Sequence, residues 1–265
     1  GAKWEKEMSA LNEQAPVILR ANSLKISAEN LVEILKEEGV NSFVLRGYLD
    51  AVQLEEKKNV FLTSAFKEGF FEVQDASSQK IAELLDVKEG MRVVDVCAGA
   101  GGKTLHIAAL MKNKGQIIAL DIYEWKLAEL KRRAKRAGAF NIETRFIEDN
   151  KVIKRLHNTA DRLLIDAPCS GLGVLKRNPD SKWKIDEDFI NRIKTEQENI
   201  LQNYSKILKK GGKMVYATCS ILPSENGEQV RKFLAENTEF ALLKEENIMP
   251  SDGYDGFYMA LIERK

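Results

Sequence analysis

The sequence predicts an α/β protein: a mostly parallel, doubly wound sheet preceded by a small α+β subdomain. Two observations carry this. From residue 77 onward, short apolar runs alternate with helix-like segments, the pattern of strands joined by crossover helices. Three of the runs end in turns that bear reactive groups: Asp95-Val-Cys-Ala-Gly-Ala-Gly-Gly-Lys-Thr104, Asp166-Ala-Pro-Cys169 and Tyr216-Ala-Thr-Cys219. Ligands of such sheets sit outside the carboxyl ends of the strands. The subdomain is read as residues 1–73 and the α/β domain as 74–265.

Residues 1–20 run from polar to apolar, with Pro16 before Val17-Ile-Leu19. Ser27 is placed to cap a helix over Ala28–Glu38, with Leu31, Ile34 and Leu35 on its inner face and Gly39 at its end. Ser42–Leu45, Val60–Leu62 and Phe70–Val73 read as short strands. The α/β part follows as helix Ser77–Leu85, strand Arg92–Cys97, helix Thr104–Met111, strand Gln116–Asp121, helix Glu124–Ala137 and strand Thr144–Ile147. Strand Arg162–Asp166, a long loop, helix Phe189–Leu208, strand Lys213–Thr218 and helix Glu225–Glu236 come next. Phe257–Glu263 is expected as an antiparallel last strand.

The 41 basic and 40 acidic residues nearly cancel, so net charge neither requires nor excludes nucleic acid. Three cysteines without CxxC spacing argue against a disulfide framework and for a reducing, cytoplasmic setting. No run of about 18 apolar residues marks a membrane span, and no signal peptide is read. His106 and His157 are read as helix-surface residues, so no metal is expected. A start without Met suits a piece of a longer protein.

Gly99, Gly101 and Gly102 lie between a strand and a helix, where glycines let the backbone approach a ligand at a helix N-terminus. Position 97 is Cys, so the loop is not a P-loop; position 104 is Thr, so it is not a full GxGxxG. Asp121 ends the next strand and can accept from ribose hydroxyls. A dinucleotide or S-adenosylmethionine would fit. Asp149 and Asp166 are further carboxylates at strand ends; Asp149 could equally cap the helix Asn150–Leu156. Two thiols, Cys169 and Cys219, at strand ends suggest covalent chemistry.

Asp166-Ala-Pro-Cys-Ser-Gly-Leu-Gly173, Lys176-Arg-Asn-Pro-Asp180 with Trp183, and Tyr216-Ala-Thr-Cys-Ser-Ile-Leu-Pro-Ser-Glu-Asn226 resemble the RNA cytosine-5 methyltransferases of the RsmB/Nop2/Sun group. Gln74-Asp-Ala-Ser-Ser-Gln79 and Arg20-Ala-Asn-Ser-Leu-Lys25 also resemble that family. Cys97-Ala-Gly-Ala-Gly-Gly-Lys-Thr104 resembles its cofactor loop, more often Cys-Ala-Ala-Pro-Gly-Gly-Lys-Thr, from which Gly99 and Ala100 depart. The resemblance implies a class I, Rossmann-like fold and S-adenosyl-L-methionine held by Cys97, Ala98, Gly99, Ala100, Gly101, Gly102, Lys103, Asp121, Asp149 and Asp166.

Cytosine C5 is a poor nucleophile, and a thiolate added at C6 converts the ring to an enamine that can accept a methyl group at C5. The resemblance implies Cys219 as the nucleophile and Cys169 as the thiol that assists product release. It implies Asp166 at the cytosine edge, and Lys103 at the base or beside a thiolate. RNA, ribosomal or transfer, is the implied partner of a monomer. Its path is read along Lys176, Arg177, Lys182, Trp183 and Lys184, where Trp183 either stacks a base or anchors the loop to the core. Lys126, Lys131, Arg132, Arg133, Lys135 and Arg136 are either a solvated helix face or a phosphate-binding one. Methylation of DNA or of a nitrogen, and an assembly factor that binds RNA without turnover, remain alternatives.

Overall fold

The computed structural model describes the backbone of residues 1–265 and every side chain except those of Ala2 and Lys3. In chain order it contains α1 (Ala2–Leu11), β1 (Ile18–Ala21), α2 (Ala28–Glu37), β2 (Ser42–Val44), β3 (Ala51–Leu54), α3 (Ser64–Lys67), β4 (Phe71–Val73), α4 (Ala76–Leu84) and β5 (Arg92–Val96). Then follow α5 (Gly102–Leu110), β6 (Gln116–Asp121), α6 (Glu124–Ala137), β7 (Ile142–Phe146), α7 (Asn150–Lys154) and β8 (Ala160–Asp166). The remainder is α8 (Glu187–Tyr204), β9 (Leu208–Thr218), α9 (Gly227–Glu236), β10 (Phe240–Ile248) and β11 (Phe257–Arg264). A four-stranded sheet has the order β2-β3-β1-β4, and a seven-stranded sheet the order β10-β11-β9-β8-β5-β6-β7. The α/β alternation and the seven-stranded sheet make a Rossmann-like fold with an added four-stranded N-terminal sheet.

One compact unit comprises residues 16–91 and 98–146. Its four-stranded sheet is antiparallel throughout, with β1 between β3 and β4. Leu19, Leu31, Leu35, Val52 and Phe71 form its core. Ser27 caps α2 by accepting from the Asn30 N–H, as its position before the apolar run predicts. Val60–Leu62, expected as a strand, is a turn of 3-10 helix, because the Asn59 side chain captures the Phe61 N–H. β6 and β7 are paired in parallel in the same unit.

The second unit comprises residues 1–15, 92–97 and 147–265. Here β5, β8 and β9 run parallel in register, Val96 beside Ile165 and Ile165 beside Tyr216. Their carboxyl ends therefore lie side by side. The expected antiparallel last strand is β11, which inserts between β9 and β10. β10 was not anticipated: it pairs on one side only, and its middle, residues 242–245, is exposed. α1, likewise unanticipated, is tied down by Glu7, which accepts from the Ser251 N–H at 2.9 Å and from its hydroxyl at 2.7 Å.

Candidate active site: two thiols and a glycine loop

The loop after β5 turns through three left-handed residues, Cys97 (φ 64°), Gly99 (φ 56°) and Gly101 (φ 87°). Gly101 is required twice over, since a Cβ there would also lie 2.5 Å from Leu130 Cγ. Gly99 has open space where a side chain would stand. Buried Asp121 at the end of β6 accepts from the Gly99 N–H and from the Tyr123 N–H, each at 2.8 Å. The carboxylate read from sequence as a ribose acceptor thus also anchors the loop. A bare backbone face, the α5 N-terminus and a fixed carboxylate beside it suit a nucleoside-containing cofactor. Ala98, Ala100, Gly102 and Lys103 are half-buried on the same turn.

The loop is braced from the N-terminal sheet of its own unit. Arg20, buried on β1, donates to the Gly102 carbonyl at 2.6 Å and to the Gln74 side chain. Burial lowers Arg20 to about 10, with Glu72 and Asp50 opposing that shift. Arg133 donates to the Ala100 carbonyl at 2.7 Å and pairs with buried Glu72, which also takes Arg136 at 2.5 Å. Asn22 holds the carbonyls of Gly69 and Ala137, and Lys25 holds those of Glu68 and Arg136. Arg20, Asn22 and Lys25 of the Arg20–Lys25 segment are thus internal braces. Neither sequence reading of the basic helix holds for Arg133 and Arg136, which turn inward.

His106 is fully buried on α5, correcting the surface placement. Its Nε2 lies 3.6 Å from Asp50 Oδ2, and burial lowers its pKa to about 4, against the pull of Asp50. His157 is half-buried in a turn after α7 rather than on a helix. Among the described residues, no cluster of three His, Cys, Asp or Glu side chains could hold a metal ion. No helix of the described residues is long and apolar enough to cross a membrane.

The two cysteine motifs meet in the other unit. Cys169 follows β8, Cys219 follows β9, and their sulfurs stand 3.1 Å apart as free thiols. The hydrogen bond with Cys219, then burial, with a smaller push from Glu225, holds the Cys169 thiol well above the usual thiol range. Asp166 ends β8, half-buried, two residues before Pro168.

Beneath the thiols lies a polar cluster that sequence reasoning passed over. Glu225 is fully buried and accepts from the Ser170 N–H at 2.8 Å, the Ser170 hydroxyl at 2.5 Å, the Ser220 hydroxyl, and Gln197 Nε2 at 3.1 Å. Gln197 also donates to the Pro168 carbonyl at 2.9 Å, and the Tyr216 hydroxyl donates to the Glu225 carbonyl at 2.8 Å. Gly173 lets two segments cross: a Cβ there would lie 2.1 Å from the Gly256 carbonyl oxygen, and its N–H donates to the Cys219 carbonyl at 2.9 Å.

Asp149 caps α7, accepting from the Lys151 N–H at 2.7 Å, the capping alternative its position allows. Of the proposed RNA path, Lys176 donates to the Pro250 carbonyl at 2.9 Å and Arg177 pairs with buried Asp255 at 2.6 Å. Those two cations are engaged within the protein. Lys182, Trp183 and Lys184 are exposed, Trp183 at 81%, which removes the alternative that it anchors the loop. Lys182 sits over the Trp183 ring at 5.1 Å.

The Rossmann-like seven-stranded sheet is the fold of S-adenosylmethionine-dependent methyltransferases. Residues 82–262 match the family 16S rRNA methyltransferase RsmB/F, and residues 1–61 match the RsmF/B-like ferredoxin-like domain. The chain belongs to the RsmB/F family. It is 36% identical over 267 residues to the ribosomal RNA small subunit methyltransferase B of Proteus mirabilis, covering 99% of this chain and 62% of that protein. The chain therefore spans less than two thirds of that relative. The crystal structure of PH0851 superposes with a TM-score of 0.95 at 33% identity, covering 100% of this chain and 63% of that one. NSun6 from Pyrococcus horikoshii, solved with SFG, superposes with a TM-score of 0.90 at 22% identity, covering 99% and 94%, and so shares the fold.

Proposed function

We propose that this chain is the catalytic part of an S-adenosylmethionine-dependent methyltransferase that acts on C5 of a cytosine in small-subunit ribosomal RNA. The observation that carries the reading is the pair of free thiols, 3.1 Å apart, at the ends of adjacent parallel strands. A nitrogen methyltransferase has no use for two such thiols. The Proteus mirabilis relative is a ribosomal RNA small subunit methyltransferase, and SFG, carried by the NSun6 structure, is an S-adenosylmethionine analogue. We place the N-terminal subdomain at 1–73 and the methyltransferase domain at 74–265, in the cytoplasm.

In this reading the backbone of Ala98–Gly102 and the Asp121 carboxylate hold the cofactor, which supplies an electrophilic methyl group when bound. Cys169, held protonated by its contact with Cys219 and by burial, stands 3.1 Å from the Cys219 sulfur. The Cys219 thiolate bonds to C6, and C5 takes the methyl group. The C5 proton then passes to a base, and the S–C6 bond breaks to restore the thiolate, with Cys169 assisting release. Asp166 holds the N3/N4 edge; Lys103 is assigned to the base on family resemblance. A base inside a duplex cannot reach these groups, so the target cytosine is unpaired or flipped. Lys182, Trp183 and Lys184 are the exposed candidates for RNA contact.

The test is incubation with S-adenosylmethionine and RNA carrying 5-azacytosine, which traps a C6 adduct. A denaturation-resistant protein–RNA complex is expected. Methyl transfer without such an adduct would remove the covalent mechanism.

A further inference from the structure

Each thiol is followed by a serine: Cys169-Ser170 and Cys219-Ser220. The two serine hydroxyls stand 3.1 Å apart, repeating the spacing of the sulfurs beside them. Both donate to one oxygen of Glu225, while its other oxygen takes the Ser170 N–H and Gln197. Ser170, Ser220 and Glu225 are all buried. The strands supply no such link, because the β8–β9 ladder ends at Asp166 and Ala217, before either cysteine.

We propose that Glu225 is the positioning residue of the thiol pair, a carboxylate that clamps Ser170 to Ser220 and thereby sets the distance between Cys169 and Cys219. The proposal rests on reading Cys169 and Cys219 as the working thiols. A buried carboxylate suits the task, because hydrogen bonds to an ionised acceptor are short and strong and one carboxylate can take several. Removing one partner leaves buried donors unsatisfied, so the clamp engages fully or opens. Glu225 does not itself touch the reacting carbons in this assignment; it acts through the two serine-bearing turns.

The test needs neither RNA nor cofactor, so its failure is separate from failure of the methyltransferase reading. The oxidant diamide adds to one thiolate across its N=N bond. The second thiolate then displaces the reduced hydrazine, so two thiols lose two electrons and two protons to form one disulfide. Adding glutathione lets the first adduct partition between internal closure and capture by the external thiol. That ratio, read by mass spectrometry on the peptides containing Cys169 and Cys219, gives the effective concentration of one thiol at the other. Glu225→Gln, Ser170→Ala and Ser220→Ala should each lower it at least tenfold, while the alkylation rate of each cysteine stays within about twofold of the parent. Adding Glu225→Gln to the Ser170→Ala/Ser220→Ala double variant should change it no further. Unchanged partitioning in folded variants would overturn the proposal. If Glu225→Gln does not fold, the two serine variants decide the question alone.

Discussion

Arg133 and Ala100 are joined by a 2.7 Å hydrogen bond from a guanidinium already paired with Glu72. One buried carboxylate on β4 thus orients the side chain that holds the glycine loop, and Arg20 on β1 holds the next turn of that loop at Gly102. The N-terminal sheet is structurally part of the glycine loop's support.

Glu72→Ala should therefore act at two levels. Leaving Arg133 and Arg136 without their shared partner costs about 3 kcal/mol of stability, measured as the urea midpoint at constant m. The variant should also bind S-adenosylmethionine several-fold more weakly, because the Ala100 tie loosens. A stability change below about 0.5 kcal/mol, the size of an ordinary surface substitution, would contradict this account.

Asp121→Ala removes the acceptor of two backbone N–H groups, Gly99 and Tyr123, as well as any bond to ribose. Losing a hydrogen bond to a charged group costs roughly 1.5–3 kcal/mol, which corresponds to an affinity for S-adenosylmethionine about ten- to a hundredfold lower by calorimetry. The melting temperature should fall too. Unchanged affinity in a folded variant would take Asp121 out of the site.

The thiols should fail differently. Cys219→Ala should abolish both methyl transfer and the 5-azacytosine adduct. Cys169→Ala should still attack but release slowly, so that a covalent complex with ordinary RNA accumulates on a denaturing gel. Finding that complex with Cys219→Ala instead would reverse the two roles.

His106 carries a pH dependence. Its folded pKa of about 4 lies below the 6.5 of a free histidine, so between these values the unfolded chain binds the extra proton. Stability from this group is full above about pH 6.5 and is lost as pH falls toward 4, by about 3 kcal/mol in all. Asp50 and Arg20, the charged groups acting on it, oppose and reinforce the shift respectively. Unfolding midpoints from pH 7 to 4.5 should fall more steeply in the parent than in His106→Gln.

RNA binding should weaken at least tenfold between about 50 and 200 mM salt, since phosphate contacts release counterions. Replacing Lys182, Trp183 and Lys184 with Ala should flatten that slope. Replacing Lys131, Arg132 and Lys135 should not; the opposite outcome would move the RNA path to α6.

The strand–helix alternation was legible because each buried parallel strand is a continuous apolar run; β6 and α6 begin and end where their patterns do. β10 was not, since a strand paired on one side with Lys244, Glu245 and Glu246 at its centre has no apolar signature. β1 was hidden by Arg20, a cation in a buried run whose partners lie 54 and 82 residues away. The inward turn of Arg133 depends on Glu72, 61 residues earlier, which no helical periodicity reports. The thiols were legible as motifs. Glu225 was not, because a Glu before a helix reads as first-turn charge until the fold brings Ser170 beneath it.

The position of β11 bears on the order of synthesis. β9, which leads into Cys219, borders β8 on one side and takes its other neighbour from Phe257–Arg264, which is synthesised about 40 residues after it. Gly256, whose N–H donates to Gly173 at 2.8 Å, arrives just before it. While those residues are still unsynthesised, β9 is an open edge and the turn after Cys169 lacks its stitch. The chain can shape its N-terminal sheet and glycine loop early, but the strand that carries Cys219 is completed only when translation has passed residue 264.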